Sequence, residues 1–164
     1  MLAAAAVFLS ALFVAHPAVS AAGLAPMNGA PAPALVLKDL DGAVHDLAQY
    51  RGKVVLINFW ATWCEPCRHE MPSMQKLRDK LAGKPFVVFA VNVAEPDARV
   101  RRFLEETRLD LPVLLDANKT ITRGWSVRVM PTTFIVDPQG RLRYRVVGDI
   151  DWSTDSVVGT ISQL

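Results

Sequence analysis

The chain has 164 residues, enough for one domain with a real core, and no internal repeat divides it. Its 18 Lys and Arg stand against 16 Asp and Glu, a net charge of +2 that argues against a broad basic surface for nucleic acid. Two cysteines, Cys64 and Cys67, are present, so none is left for a structural staple once that pair is committed.

Residues 1 to 37 contain no Asp, Glu, Lys or Arg. Leu2 to Ala15 is apolar apart from Ser10, and the small residues Ala18-Val-Ser-Ala-Ala22 follow His16-Pro17. This reads as the apolar region and cleavage site of a secretory signal, with cleavage near Ala21 or Ala22. The apolar core is shorter than the ~20 residues a spanning helix needs. An uncleaved anchor is the alternative, because the Ala-rich run continues to Ala25. Residues 1–22 are thus a signal peptide or N-terminal anchor, and the expected location is the periplasm. Residues 23–33, with Pro26, Gly29, Pro31 and Pro33, read as an extended linker. Residues 34–164 form the expected domain.

Leu35-Val-Leu37 and Ala43-Val44-His45, on either side of Asp41-Gly42, predict a small hairpin with His45 on its surface. Val54 to Trp60 is an apolar, β-branched run of the length of a buried strand. Behind it Met71, Met74, Leu77 and Leu81 recur at three or four residues, with Arg68, Lys76, Arg78 and Lys80 between them, the pattern of an amphipathic helix. Cys64 and Cys67 therefore fall where a central strand ends and a helix begins. Unpaired N–H groups and the positive dipole end favour a thiolate there. Cys64 is the expected exposed nucleophile. Cys67, one turn inside on the same face, can attack a mixed disulfide formed at Cys64. Pro66 suits the first helical turn, where its missing N–H is not needed. Glu65 opposes thiolate formation at its neighbour, which points to a reductant; Glu65 and Pro66 are the residues expected to tune the pair. Two plainer readings stand beside this one: half of a zinc site with His69 as a further ligand, and a pair of inert buried thiols.

Phe86 to Val93 predicts a second buried strand, followed by a helix capped by Asp97 with Val100, Phe103 and Leu104 on one face. Leu111 to Leu115 is a short strand, and a short helix around Lys119 to Trp125 leads to Met130-Pro131. Thr132 to Val136 and Arg141 to Val147 are strands joined by the turn Asp137-Pro-Gln-Gly140, and Asp151 to Gln163 is a closing helix. Arg99, Arg101 and Arg102 read as a solvated face. Met71, Met74 and Met130 suggest Cu(I) as a rival ligand, although methionines at helical spacing are more often core filler.

Asn58-Phe-Trp-Ala-Thr-Trp-Cys-Glu-Pro-Cys67, followed by Glu70-Met-Pro72, resembles the active site of thioredoxin-like proteins, and most of all the exported TlpA/ResA/DsbE group of thiol–disulfide oxidoreductases. Pro72 matches the family's helix-kinking proline, and Val129-Met-Pro-Thr-Thr-Phe134 its cis-proline segment, which places Pro131 beside the cysteines. The resemblance covers roughly residues 34 to 164. It implies an α/β, thioredoxin-like fold: a central mixed β-sheet flanked by helices, with an N-terminal hairpin and a central helix–strand insertion. It implies a redox-active Cys64–Cys67 disulfide, a substrate groove at Trp63, Met130 and Pro131, and no need for a cofactor or metal. Cytoplasmic thioredoxins carry a buried aspartate at the position of Asn58; here Glu70 is the expected proton acceptor for Cys67. The implied partners are exported proteins with disulfides, such as apocytochrome c or an oxidase copper-site assembly factor, and a membrane electron donor of the DsbD/CcdA type. A copper-handling protein and a peroxiredoxin-like peroxidase are the rivals. The second lacks the threonine expected three residues before the nucleophile, where Ala61 stands.

Overall fold

A computed structural model describes residues 23–164. The expected leader, residues 1–22, lies outside them. Among the described residues no helix is long and apolar enough to cross a membrane.

The described strands are β1 (Ala25–Pro26), β2 (Val36–Asp39), β3 (Val44–Asp46), β4 (Val54–Trp60), β5 (Phe86–Val93), β6 (Val113–Asp116), β7 (Thr132–Val136) and β8 (Leu142–Val147). They form one mixed sheet in the order β1-β8-β7-β4-β5-β6-β2-β3. The helices are α1 (Glu65–Lys80), α2 (Asp97–Thr107), α3 (Thr120–Gly124) and α4 (Asp155–Ser162), and a 3-10 turn spans Leu47–Tyr50. β4 lies at the centre, parallel to β5 and antiparallel to β7. All seven of its residues are buried, as a strand covered on both faces requires.

Alternation along β4 divides the core. Val54, Leu56 and Trp60 join Met71, Met74 and Leu77 of α1 and Ile161 of α4 on one face. Val55, Ile57 and Phe59 point the other way, onto Leu35, Phe89, Trp125 and Phe134. A fully buried side chain of this size contributes roughly 1.5–3 kcal/mol, so the two layers explain why the sheet is a stable platform. Asn58 shares the parity of Leu56 and Trp60. Strand geometry alone therefore aims its amide at α1.

Several expectations change. The stretch expected as a linker is the sheet's edge: β1 pairs with β8, Met27 N–H donates to the Arg143 carbonyl, Pro31 bridges to Arg141, and Leu24 is fully buried. Its prolines fit an edge position, where a missing donor faces away from the sheet. His45 is half-buried, its ring 5.4 Å from that of Phe89 and its nitrogens 2.8 Å from Tyr50 Oη and from Asp39 Oδ2. Asp97 does not cap α2. The N-cap position is held by Pro96 with no side-chain bond, and Asp97 sits inside the first turn. The closing helix begins at Asp155, capped by Thr154, because residues 151–153 form a turn that turns Trp152 inward.

Candidate functional site

The ends of β4 and β5 and the start of β7 share one edge of the sheet, since Phe59 pairs with Thr132 and Trp60 with Asn92. The loop after β4, the loop after β5 and the loop before β7 consequently converge there. Such a crevice, beyond the carboxyl ends of parallel strands, is the usual place for a site in an α/β sheet.

Cys64 stands at the N-cap of α1, and its sulfur accepts from the backbone N–H of Cys67 at 3.4 Å. Cys64 and Cys67 are joined by a disulfide with an S–S distance of 2.01 Å. Cys64 retains 5 % of its surface and Cys67 none, so the sulfur expected to be exposed is largely covered in the oxidised form. The bond explains this: it ties Cys64 to a partner wholly inside the apolar layer that holds Trp60, Ala61 and Met71. Glu65 is exposed at the first turn, and Pro66 occupies a position where the helix needs no donor. Pro72, within α1, has no N–H for the carbonyl of Arg68, which leaves that turn locally open. Trp63 is 66 % exposed beside the cysteines, and Met130 lines the same cleft. The Met130–Pro131 peptide is cis.

Glu70, one turn beyond Cys67, is 1 % exposed. Its Oε1 accepts from Asn58 Nδ2 at 2.7 Å, and its Oε2 from Trp152 Nε1 at 2.9 Å and from the Ile150 N–H at 3.4 Å. Burial pushes its pKa from 4.5 up to about 7; the bonds from Trp152, Asn58 and Ile150 oppose that rise, and the charge of Asp149 adds to it. Asn58 also donates to Thr133 Oγ1 at 2.8 Å, while its own Oδ1 has no partner among the described residues. An amide turned over would present that oxygen to a protonated Glu70 and to the Thr133 hydroxyl. The pocket can thus satisfy both protonation states of the carboxyl group.

Two contributors are invisible to local sequence patterns. Trp152 holds Glu70 from 82 residues away. Its only sequence signal is a large aromatic set just outside a Thr154 cap. Glu95, buried after β5, accepts from the Thr62 N–H at 2.7 Å, the Thr62 hydroxyl at 2.6 Å and Asn92 Nδ2 at 2.8 Å. It fixes the loop two residues before Cys64. His69, offered as a zinc ligand, is exposed and bonds Asp149 at 2.9 Å, away from both sulfurs' layer. Met71 and Met74 are fully buried core residues, and Met130 packs on the core at its edge. Among the described residues no cluster of His, Cys, Asp and Glu suited to a metal is found.

The family model described as Redoxin matches residues 27–161. The chain belongs to the Redoxin family. This redoxin is 40 % identical over 120 residues to the thiol–disulfide oxidoreductase ResA of Geobacillus thermodenitrificans, covering 73 % of this chain and 69 % of the relative. It is 34 % identical over 131 residues to ResA of Bacillus subtilis, covering 80 % and 72 %. Among solved structures, a thioredoxin-family thiol:disulfide interchange protein of Chlorobium tepidum is similar at a TM-score of 0.69 and 26 % identity, over 84 % of this chain and 99 % of that one. The exposed lipoprotein thioredoxin Etrx1 of Streptococcus pneumoniae is similar at 0.70 and 26 %, over 80 % and 99 %. The fold is thioredoxin-like, and this redoxin is a thiol–disulfide oxidoreductase.

Proposed function

We propose that this redoxin is exported and reduces disulfides in client proteins of the periplasm, and is itself re-reduced by a membrane donor of the DsbD/CcdA type. The observation that carries the reading is a cysteine pair at a helix N-terminus with a carboxyl of pKa about 7 buried one turn on. The Cys64 thiolate attacks a client disulfide, forming a Cys64–client bond and releasing the first client thiolate, which takes a proton from solvent. Glu70 accepts the Cys67 proton; the resulting thiolate attacks Cys64 Sγ and releases the second client sulfur as a thiolate, which is protonated as Glu70 gives its proton back to solvent. Two electrons pass to the client, and the chain leaves as the Cys64–Cys67 disulfide. Glu65 disfavours the Cys64 anion and so favours donation of electrons over their capture. Trp63, Met130 and Pro131 form the wall against which an extended client lies. The leader-like residues 1–22 and the likeness to ResA support export, and the clients we assign to it are proteins of cytochrome c maturation or oxidase copper-site assembly, as the family resemblance implies.

The test is a stoichiometric one. Reduced protein mixed with a disulfide-bonded peptide should yield one reduced peptide per Cys64–Cys67 disulfide formed. Oxidation of dithiol peptides as the favoured direction in a balanced thiol buffer would overturn the reductase assignment.

A further inference from the structure

Two clefts are walled by the loop and first helical turn that carry the cysteines, one at Trp63 and the other at Thr62 and Arg68. One, of about 280 Å³, is lined by Trp63, Met130, Lys119 and Arg128 among others. The other, of about 320 Å³, lies between the active-site loop and α2, lined by Thr62, Arg68, Arg99, Arg102, Phe103 and Glu106. Five cations and one carboxylate line the two, a net of +4, whereas the whole chain carries +2. The two clefts thus concentrate positive charge beyond what the chain carries as a whole. Glu65, exposed between the cysteines, offsets one of these charges.

The cations are available and partly held in place. Arg68, Lys119 and Arg128 make no ion pair among the described residues. The Arg68 guanidinium lies 5.6 Å from the Phe103 ring centre, a stacking contact that restrains it without neutralising it. Arg102 pairs with Glu106 through Nε at 2.8 Å, and its terminal nitrogens make no hydrogen bond among the described residues. Arg99 reaches Glu95 only at 3.9 Å, and that carboxylate is occupied by Thr62 and Asn92. Positive side chains thus line both clefts at the loop that carries Cys64, with the exposed indole of Trp63 in one of them.

Resting on the reductase reading above, we propose that the clients of this site are polypeptide segments with Asp or Glu on both sides of the reactive cysteine. Such a segment laid past Trp63 would place one acidic flank against Lys119 and Arg128 and the other against Arg68 and Arg102. Complementary charge of this kind acts mainly on encounter and on choice of partner, and it weakens with salt.

The experiment uses the reduced full chain and three synthetic peptides, each with one internal disulfide and flanks of Asp, of Gly and Ser, or of Lys. Second-order rate constants are read by stopped-flow fluorescence at low salt. The acidic peptide should react on the order of tenfold faster than the neutral one, and the basic peptide slower. The spread should collapse at about 0.5 M salt, where the screening length is only a few ångströms, and Arg102→Glu with Arg128→Glu should reverse the order. Equal rates for the three peptides, or a preference that high salt leaves intact, would overturn the proposal. Bis(2-hydroxyethyl) disulfide serves as an uncharged control. Failure to reduce it together with every peptide would condemn the reductase reading itself, whereas reduction of all without preference would condemn only the acidic-client assignment.

Discussion

Replacing Glu70 by Gln removes one titration and leaves shape almost unchanged. In the folded protein the carboxyl holds its proton up to about pH 7, against 4.5 as the ordinary value. A carboxyl whose pKa is raised on folding costs nothing below the unfolded value. Between pH 4.5 and 7 the unfolded chain has released the proton and the folded chain has not, so stability falls as pH rises. At ~1.4 kcal/mol per unit the cost reaches about 3 kcal/mol above pH 7. The substituted side chain cannot ionise. Its amide would face one N–H donor, but Asn58 can turn its unpartnered Oδ1 toward it, so the added penalty is small. The stability of Glu70→Gln relative to wild type should therefore increase by about 3 kcal/mol between pH 4.5 and about pH 8. Urea unfolding of both oxidised proteins at the two pH values measures that double difference, in which other titrating groups cancel. A difference that stays flat with pH would refute the buried, protonated carboxyl. In the reduced protein the same variant should slow the attack of Cys67 by ~10²–10⁴-fold and flatten its pH dependence, with less effect on the first attack by Cys64.

Trp152→Phe keeps an aromatic ring and removes the donor to Glu70 Oε2. The ionised form loses a charge-assisted bond, so the midpoint of the resolving step should move up by about one pH unit; stopped-flow profiles showing no change or a downward shift would contradict the role given to the indole. Glu95→Ala strands the Thr62 N–H, the Thr62 hydroxyl and Asn92 in a buried pocket. It should destabilise the chain by about 3 kcal/mol. A loss under ~1 kcal/mol in urea unfolding would show that the loop before Cys64 is held by other means.

Much of this molecule is written in local pattern. β4 and α1 are legible because a fully buried strand is continuously apolar and a covered helix repeats its apolar residues every turn, and those two elements suffice to place both cysteines. The proximity of Glu70 to Cys67 is likewise fixed by helix spacing. What is not legible is pairing across distance. Glu95 looks like any acidic residue before a proline, and its duty depends on Thr62, 33 residues earlier. Trp152 reads as part of a helix because its neighbours are polar and short, yet the chain turns there and sends the ring to Glu70. Residues 23–33 misread for a related reason: proline and glycine mark a lack of helix and of central strand, and an edge strand shares that composition. The amide of Asn58 is the intermediate case. Its type rules out titration and its parity fixes its face, but its two hydrogen bonds needed β7 and α1 in place.

Trapping decides whether Cys64 attacks the client and Cys67 resolves the product. Reduced Cys67→Ser and reduced Cys64→Ser are each mixed with a disulfide-bonded peptide, quenched with acid and mapped by mass spectrometry. The first variant should hold a stable peptide–Cys64 mixed disulfide and the second almost none. A peptide–Cys67 adduct formed at a comparable rate in Cys64→Ser would contradict that order of attack.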